Sequence, residues 1–275
     1  MSNAIKTQIT TITASKAKEL LGNNTRNRRI SQGNLEAIKM SLTRGEWELN
    51  GEAIKVAQDG TILDGQHRLM ACVETGISFK TILVTGLEHK TQTTMDTGKT
   101  RTPANVLELN GFKNAVTLAA VTSAIIRSEQ YTLRAAVIEA AGSSYPLTRK
   151  QILQRAQDEP ALVEVTSQAR KYGPIGLPGK VAGLAIYTFS KIDPEDSEFF
   201  FRKLYTGEAL DRGNPILTLR NTLQAMKNDV RGERNQVYLL ALTIKAWNKF
   251  RDGESMMKLS FRLGGANPEQ FPEPH

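Results

Sequence analysis

The stretch Ile62-Leu63-Asp64-Gly65-Gln66-His67-Arg68-Leu69-Met70-Ala71 changes character at one residue. Before Gly65 it is short and apolar, as a strand is. After Gly65, Leu69, Cys72 and Val73 recur at helical spacing until Gly76, which suits a helix stop. The reading is therefore strand, glycine turn, helix, with the helix over about 66–75. Upstream, Ile54 and Val56 alternate with polar neighbours, so 52–57 reads as a half-buried strand. Asp59-Gly60 is a tight-turn dipeptide leading to a partner strand at 61–63. Downstream, 79–84 reads as another strand. Thr13 is placed to cap a helix ending at Leu21, and Ser31 to open one carrying Leu35, Ile38 and Leu42 on one face.

Beyond Asn110 the strand signals stop. Segments 114–128, 148–156, 161–171, 181–191, 195–205, 216–226 and 235–250 all carry helical periodicity, while 173–179 is a loop by composition. The tail at 267–275 holds three prolines and reads as frayed. The fold class is thus α+β: a small α/β domain at 1–110 followed by an all-helical domain at 111–275.

Composition narrows the function classes. The 275 residues are 40% hydrophobic and 23% charged, which excludes wholesale disorder and collagen. No apolar run reaches the roughly 18 residues of a membrane span, and no secretory leader is evident at 1–13, so a cytoplasmic protein without a membrane partner is expected. A single cysteine, Cys72, excludes an internal disulfide and a cysteine-cluster metal site. It falls on the apolar stripe of its helix and reads as a small core residue. Three scattered histidines argue against a histidine metal site, so no protein-held metal is expected.

Net charge is +8, with 36 basic against 28 acidic residues, and this favours polyanionic partners. The excess is spread: 1–110 carries 14 basic and 11 acidic residues, and 111–275 carries 22 and 17. The densest basic run, Arg26-Asn27-Arg28-Arg29, lies in a loop, so Arg26, Arg28 and Arg29 are the candidate nucleic-acid contacts, against a plain solvated run.

The strand–glycine–helix corner is the main site candidate. A helix start exposes unpaired N–H groups and partial positive charge, and Gly65 admits close approach of the backbone to a ligand. Arg68 adds a bidentate donor, His67 a donor of adjustable charge, and Gln66 an amide. Gly65, Gln66, His67 and Arg68 therefore suit a phosphate group. The alternative is that Asp64 caps the helix while His67 and Arg68 cover the surface. A second block, Met95-Asp96-Thr97-Gly98-Lys99-Thr100-Arg101-Thr102, is no P-loop, because Thr93 stands where that pattern needs its first glycine. Lys99 and Arg101 remain candidate phosphate contacts, against a connection that caps the next helix through Thr102 and Pro103.

Residues 62–71 with Gly76, together with Asn27-Arg28-Arg29-Ile30-Ser31, Gly45-Glu46-Trp47, Gly51-Glu52-Ala53-Ile54 and the 95–102 block, resemble the ParB/sulfiredoxin superfamily. The nearest likeness is to phage- and plasmid-type ParB N-terminal-domain proteins with a DGQHR pentapeptide. The resemblance covers about 10–110. It implies a ParB-like, nucleic-acid-associated protein, gated by a nucleotide at the Asp64–Arg68 corner.

Residue by residue the implications differ. Gln66 replaces the catalytic cysteine of sulfiredoxins, so sulfinic-acid reduction is not expected. Relative to the Gly-Glu-Arg-Arg corner of partition proteins, Gly65 and Arg68 match while the middle pair does not. The serine-kinase branch is similar in its His-Arg pair after Asp-Gly. By that likeness Asp64 and His67 would be catalytic if the protein is an enzyme, with Glu36 as a candidate base. The cofactor implied is a nucleoside di- or triphosphate with Mg2+.

Three functions thus stay open: a nucleic-acid-associated factor first, a nucleotide-dependent phosphotransferase or hydrolase as the alternative, and a nuclease least. Segments 148–156 and 161–171 lack the glycine-type turn and basic second helix of a DNA-reading pair. Tyr238, Leu239, Trp247 and Phe250 read as core or as the face of a homo-oligomer.

Overall fold

The computed structural model describes residues 4–23, 29–95, 101–138, 145–228 and 235–275. The chain divides into two compact units, Met1–Thr100 with Gly142–Lys150, and Arg101–Ala141 with Gln151–His275. It is a mixed α/β protein.

The first unit is built on a four-stranded mixed sheet. Its strands are β1 (Lys6–Ile12), β2 (Ala53–Ala57), β3 (Ile62–Asp64) and β4 (Phe79–Leu87), in the order β1-β4-β2-β3. β1 runs antiparallel to β4, β4 parallel to β2, and β2 antiparallel to β3. Three helices accompany it: α1 (Ala14–Gly22), α2 (Gln32–Thr43) and α3 (Gln66–Thr75). α3 packs against both α1 and α2.

The core they share joins Ile12, Leu35, Leu42, Ile54, Ile62, Leu69 and Phe79. Each such side chain, fully buried, contributes about 1.5–3 kcal/mol. Trp47 closes the edge, with its ring edge-on to Phe79 at 4.9 Å and its Nε1–H donating to the Lys80 carbonyl at 2.8 Å.

Two strands differ from the sequence expectation. β1 carries no alternation to betray it: apart from half-buried Thr10, its Thr-rich segment is exposed on both faces until Ile12, because it is a sheet edge that little covers. β2 is buried at four of its five positions rather than half-buried, because it is an interior strand and both its faces are covered.

The second unit is helical: α4 (Pro103–Leu109), α5 (Ala115–Gln130), α6 (Leu133–Val137), α7 (Arg149–Asp158, of which 151–158 belong to it), α8 (Ala161–Ala169), a 3-10 turn (Arg170–Ile175), α9 (Gly179–Ile192), α10 (Pro194–Thr206), α11 (Pro215–Asn228) and α12 (Gln236–Arg251). α4 begins this unit because Thr102 and Asn105 form a reciprocal capping box, with Pro103 in the first turn.

α9 is central. It contacts α5, α8, α10 and α12, and Gly183 lets it approach α5 so closely that an added Cβ would lie 2.5 Å from Val121. Phe189 of α9 stacks on Trp247 of α12 at 4.3 Å between ring centroids, with Phe200 and Phe201 around them. Trp247 and Leu239 are core, one of the two readings the sequence allowed, while Tyr238 and Phe250 are half-buried.

The tail is not frayed. Trp247 Nε1 donates to the His275 carbonyl, Asn248 Nδ2 to that of Glu273, and Lys245 pairs with Glu269 at 2.8 Å. Phe261 packs edge-on to Phe271. Side-chain donors on α12 thus replace the regular backbone bonds that proline denies the tail.

Candidate functional site

The corner forms as its sequence predicts. β3 ends at Asp64, Gly65 takes φ +100°, and α3 starts at Gln66. The reason for Gly65 is internal. A Cβ there would meet Ile54 Cδ1 at 2.3 Å and Arg68 Nη2 at 3.3 Å, so the glycine seats α3 against β2. Gly65 also stands at the capping position, where it supplies no side-chain acceptor, and no acidic residue lies in the first turn of α3.

Asp64 therefore does not cap the helix. Its Oδ2 accepts from Lys55 Nζ at 3.0 Å and from Arg68 Nη2 at 3.4 Å. Arg68 Nη2 also donates to the Ala53 carbonyl at 2.8 Å, which ties α3 to β2 and β3. The side chains of Asp64 and Arg68 are only 12% and 11% exposed. The other end of the guanidinium differs: Nη1 is buried with no hydrogen-bond partner. A buried donor on a charged group left unmet is costly, about 1–3 kcal/mol or more.

Gln66 and His67 are buried rather than on the surface, because the first turn of α3 faces the segment before α2. The Ser31 backbone N–H donates to His67 Nε2 at 2.9 Å. An N–H pointing at Nε2 needs a lone pair there, so the ring proton sits on Nδ1. Arg29 lies two residues before Ser31 and is exposed.

Arg101 is exposed, belongs to the second unit and immediately precedes the α4 cap. Arg26, Arg28 and Lys99 lie outside the described residues.

Glu36 is committed elsewhere, accepting from Gln32 at 3.0 Å and from Lys39 at 2.9 Å. Its hydrogen bond and that of Glu74 hold the Lys39 ammonium above its usual pKa. Cys72 is fully buried in the core, and burial pushes its thiol up, away from the reactive thiolate. Among the described residues, no three His, Cys, Asp or Glu side chains cluster as a metal site would need.

The sequence reading missed two participants, Lys55 and the Ser31 amide. Lys55 had a signal, being a cation between Ile54 and Val56 in an otherwise apolar strand. The Ser31 amide had none, because the bond spans 36 residues.

No protein-family model matches the chain, and neither a curated protein nor a solved structure matches it. Among the described residues, no helix is long and apolar enough to cross a membrane.

Proposed function

We propose that the chain is a ParB-like, nucleic-acid-associated protein whose Asp64–Arg68 corner binds a phosphate group of a nucleotide. The observation that carries this reading is the half-used guanidinium of Arg68: Nη2 holds the fold together, and Nη1 is a buried cationic donor without an acceptor. It belongs to the first turn of a helix whose start has neither a side-chain cap nor an acidic residue. Nη1 has no solvent access, so a phosphate reaches it only if neighbouring side chains move; the Lys55–Asp64 pair, 28% and 12% exposed, adjoins Arg68 through Asp64. The net charge of +8 and the exposed Arg29 favour a polyanion beside that site. The nucleotide class is a nucleoside di- or triphosphate with Mg2+, and it acts as the gate for nucleic-acid binding.

The phosphotransferase alternative has less support. Asp64 is held by two cations, His67 Nε2 is occupied by the Ser31 amide, and Glu36 is held by Gln32 and Lys39. A nuclease needs a cluster of carboxylates, and none is found among the described residues.

A thermal-shift screen of ATP, ADP, CTP and GTP with Mg2+ tests the corner. A nucleotide at a hundredfold its Kd stabilises the chain by about 2.7 kcal/mol. Arg68→Ala is expected to remove that response. No shift with any nucleotide, beside intact nucleic-acid binding, would refute the gate. Filter binding across salt tests the rest, and no binding even at low salt would refute the nucleic-acid reading.

A further inference from the structure

The second unit holds a cavity of about 440 Å3 between the first turns of α11 and the segment around Met257, within the range of small-molecule sites. Two hydrogen bonds build it. Met256 N–H donates to the Gly213 carbonyl at 2.7 Å, and the Thr218 hydroxyl donates to the Met256 carbonyl at 2.5 Å. They pin an extended segment along the helix with Met256 and Leu259 turned inward, both 8% exposed, and Met257 turned out at 63%.

The lining has three chemistries. Leu217, Met257 and Leu259 supply apolar wall. Arg212 and Lys258 supply positive charge; among the described residues neither is in an ion pair, and no carboxylate lines the cavity. The hydroxyls of Thr218 and Thr222 spend their protons on backbone carbonyls, at 2.5 Å and 2.7 Å, so toward the cavity they offer lone pairs. Asn221 adds an amide that both donates and accepts.

We propose that this cavity binds a small organic anion with an apolar body, its charge on Arg212 and Lys258, its body on Leu217, Met257 and Leu259, and a donor group toward the threonine oxygens. A bare inorganic ion leaves the apolar wall unused, and a neutral hydrocarbon leaves two cations uncompensated. The site is independent of the Asp64–Arg68 corner.

Anilinonaphthalene sulfonate is a suitable probe, because it joins an anion, an aromatic body and one N–H. In a fluorescence titration of the full chain, one equivalent is expected to bind. The double variant Arg212→Ser/Lys258→Ser is expected to weaken it about tenfold, the scale of two partly screened charge contacts. Neutral anilinonaphthalene, which lacks the sulfonate, is expected to bind both proteins alike. Met257→Glu alters an exposed side chain, spares the core and is expected to expel the sulfonate probe by charge repulsion while the far-ultraviolet dichroism stays unchanged. Sulfonate affinity within about twofold of the parent in both variants, or binding to several equal sites, would overturn the proposal.

Discussion

Arg68 in the first unit and Arg155 in the second are both partly buried against carboxylates, and the two are satisfied differently. In the second unit, Arg155 uses its whole fork: Nε donates to Glu159, Nη1 and Nη2 to Glu129, and Nη2 also to the Tyr187 hydroxyl. Lys191 completes the group, 4.2 Å from the Tyr187 ring centroid and 3.5 Å from Glu129. In the first unit, Arg68 uses only Nη2, for Asp64 and the Ala53 carbonyl. A closed network of this kind is a staple between helices, because each nitrogen of the fork has an acceptor. A fork with one buried nitrogen unmet is a staple at one end only, and the other end is the basis of the phosphate site proposed above. Partial burial and a carboxylate partner are common to both arginines; the buried nitrogen without an acceptor is what sets Arg68 apart.

The comparison breaks most visibly at Gly65, which seats Arg68 and has no counterpart beside Arg155. Gly65→Ala forces a side chain into φ +100° and drives its Cβ into the fully buried Ile54. The expected loss is about 3 kcal/mol, from backbone strain and overpacking together, read as a lower urea midpoint of the first unit. Trp47 lies in that unit and Trp247 in the other, so single-tryptophan variants report each separately.

Next comes Arg155→Met. It strands two carboxylates and a phenol, but the side chains are 27–37% exposed, so the expected loss is about 2 kcal/mol rather than the 3–5 of a fully buried pair. Arg68→Met removes an orphaned donor along with its bonds. Its expected cost is smaller, about 1 kcal/mol, while the nucleotide response disappears. Equal losses for the two methionine variants would erase the distinction between them.

Acid sharpens the same contrast. Burial pushes the Glu129 carboxyl up, but the hydrogen bond and charge of Arg155, with Tyr187 and Lys191, outweigh it and hold the group below its ordinary value of 4.5. A carboxylate depressed in the folded state stabilises above its unfolded pKa, and that stability is lost as pH falls through the folded value. The second unit is therefore expected to weaken on acidification below about pH 4.5. Glu129→Gln should flatten that dependence in urea titrations at successive pH values. An unchanged slope would show that the network does not titrate with folding.

Much of the corner was legible in sequence because its elements are local. An apolar run, a glycine and a helical stripe define β3, the turn and α3 within about a dozen residues. Gly76 takes the left-handed conformation that closes α3, and Thr102 with Pro103 starts α4. What was not legible is long-range. β1 is an edge strand whose exposed threonines imitate a polar coil. The role of Gly65 depends on Ile54 across the sheet, and the state of Arg68 depends on which acceptors lie beyond reach of Nη1. The prolines of the tail looked like disorder because the donors that fix it sit on α12.

The smallest expected effect concerns Arg29, two residues before the Ser31 amide that bonds His67. Arg29 is exposed, so replacing it leaves the core untouched. Each phosphate neutralised by a side chain adds about 0.9 to the slope of log affinity against log salt on duplex DNA. Arg29→Ala is therefore expected to lower that slope by about one, with little effect on stability or on the nucleotide-induced shift. The Arg155 region provides the control: Lys191→Ala removes a comparably exposed cation that already faces Glu129 and Tyr187, and the slope should not change. If the two substitutions lower the slope equally, nucleic acid responds to net charge alone. If only Arg29→Ala lowers it, the polyanion contacts the first unit at Arg29.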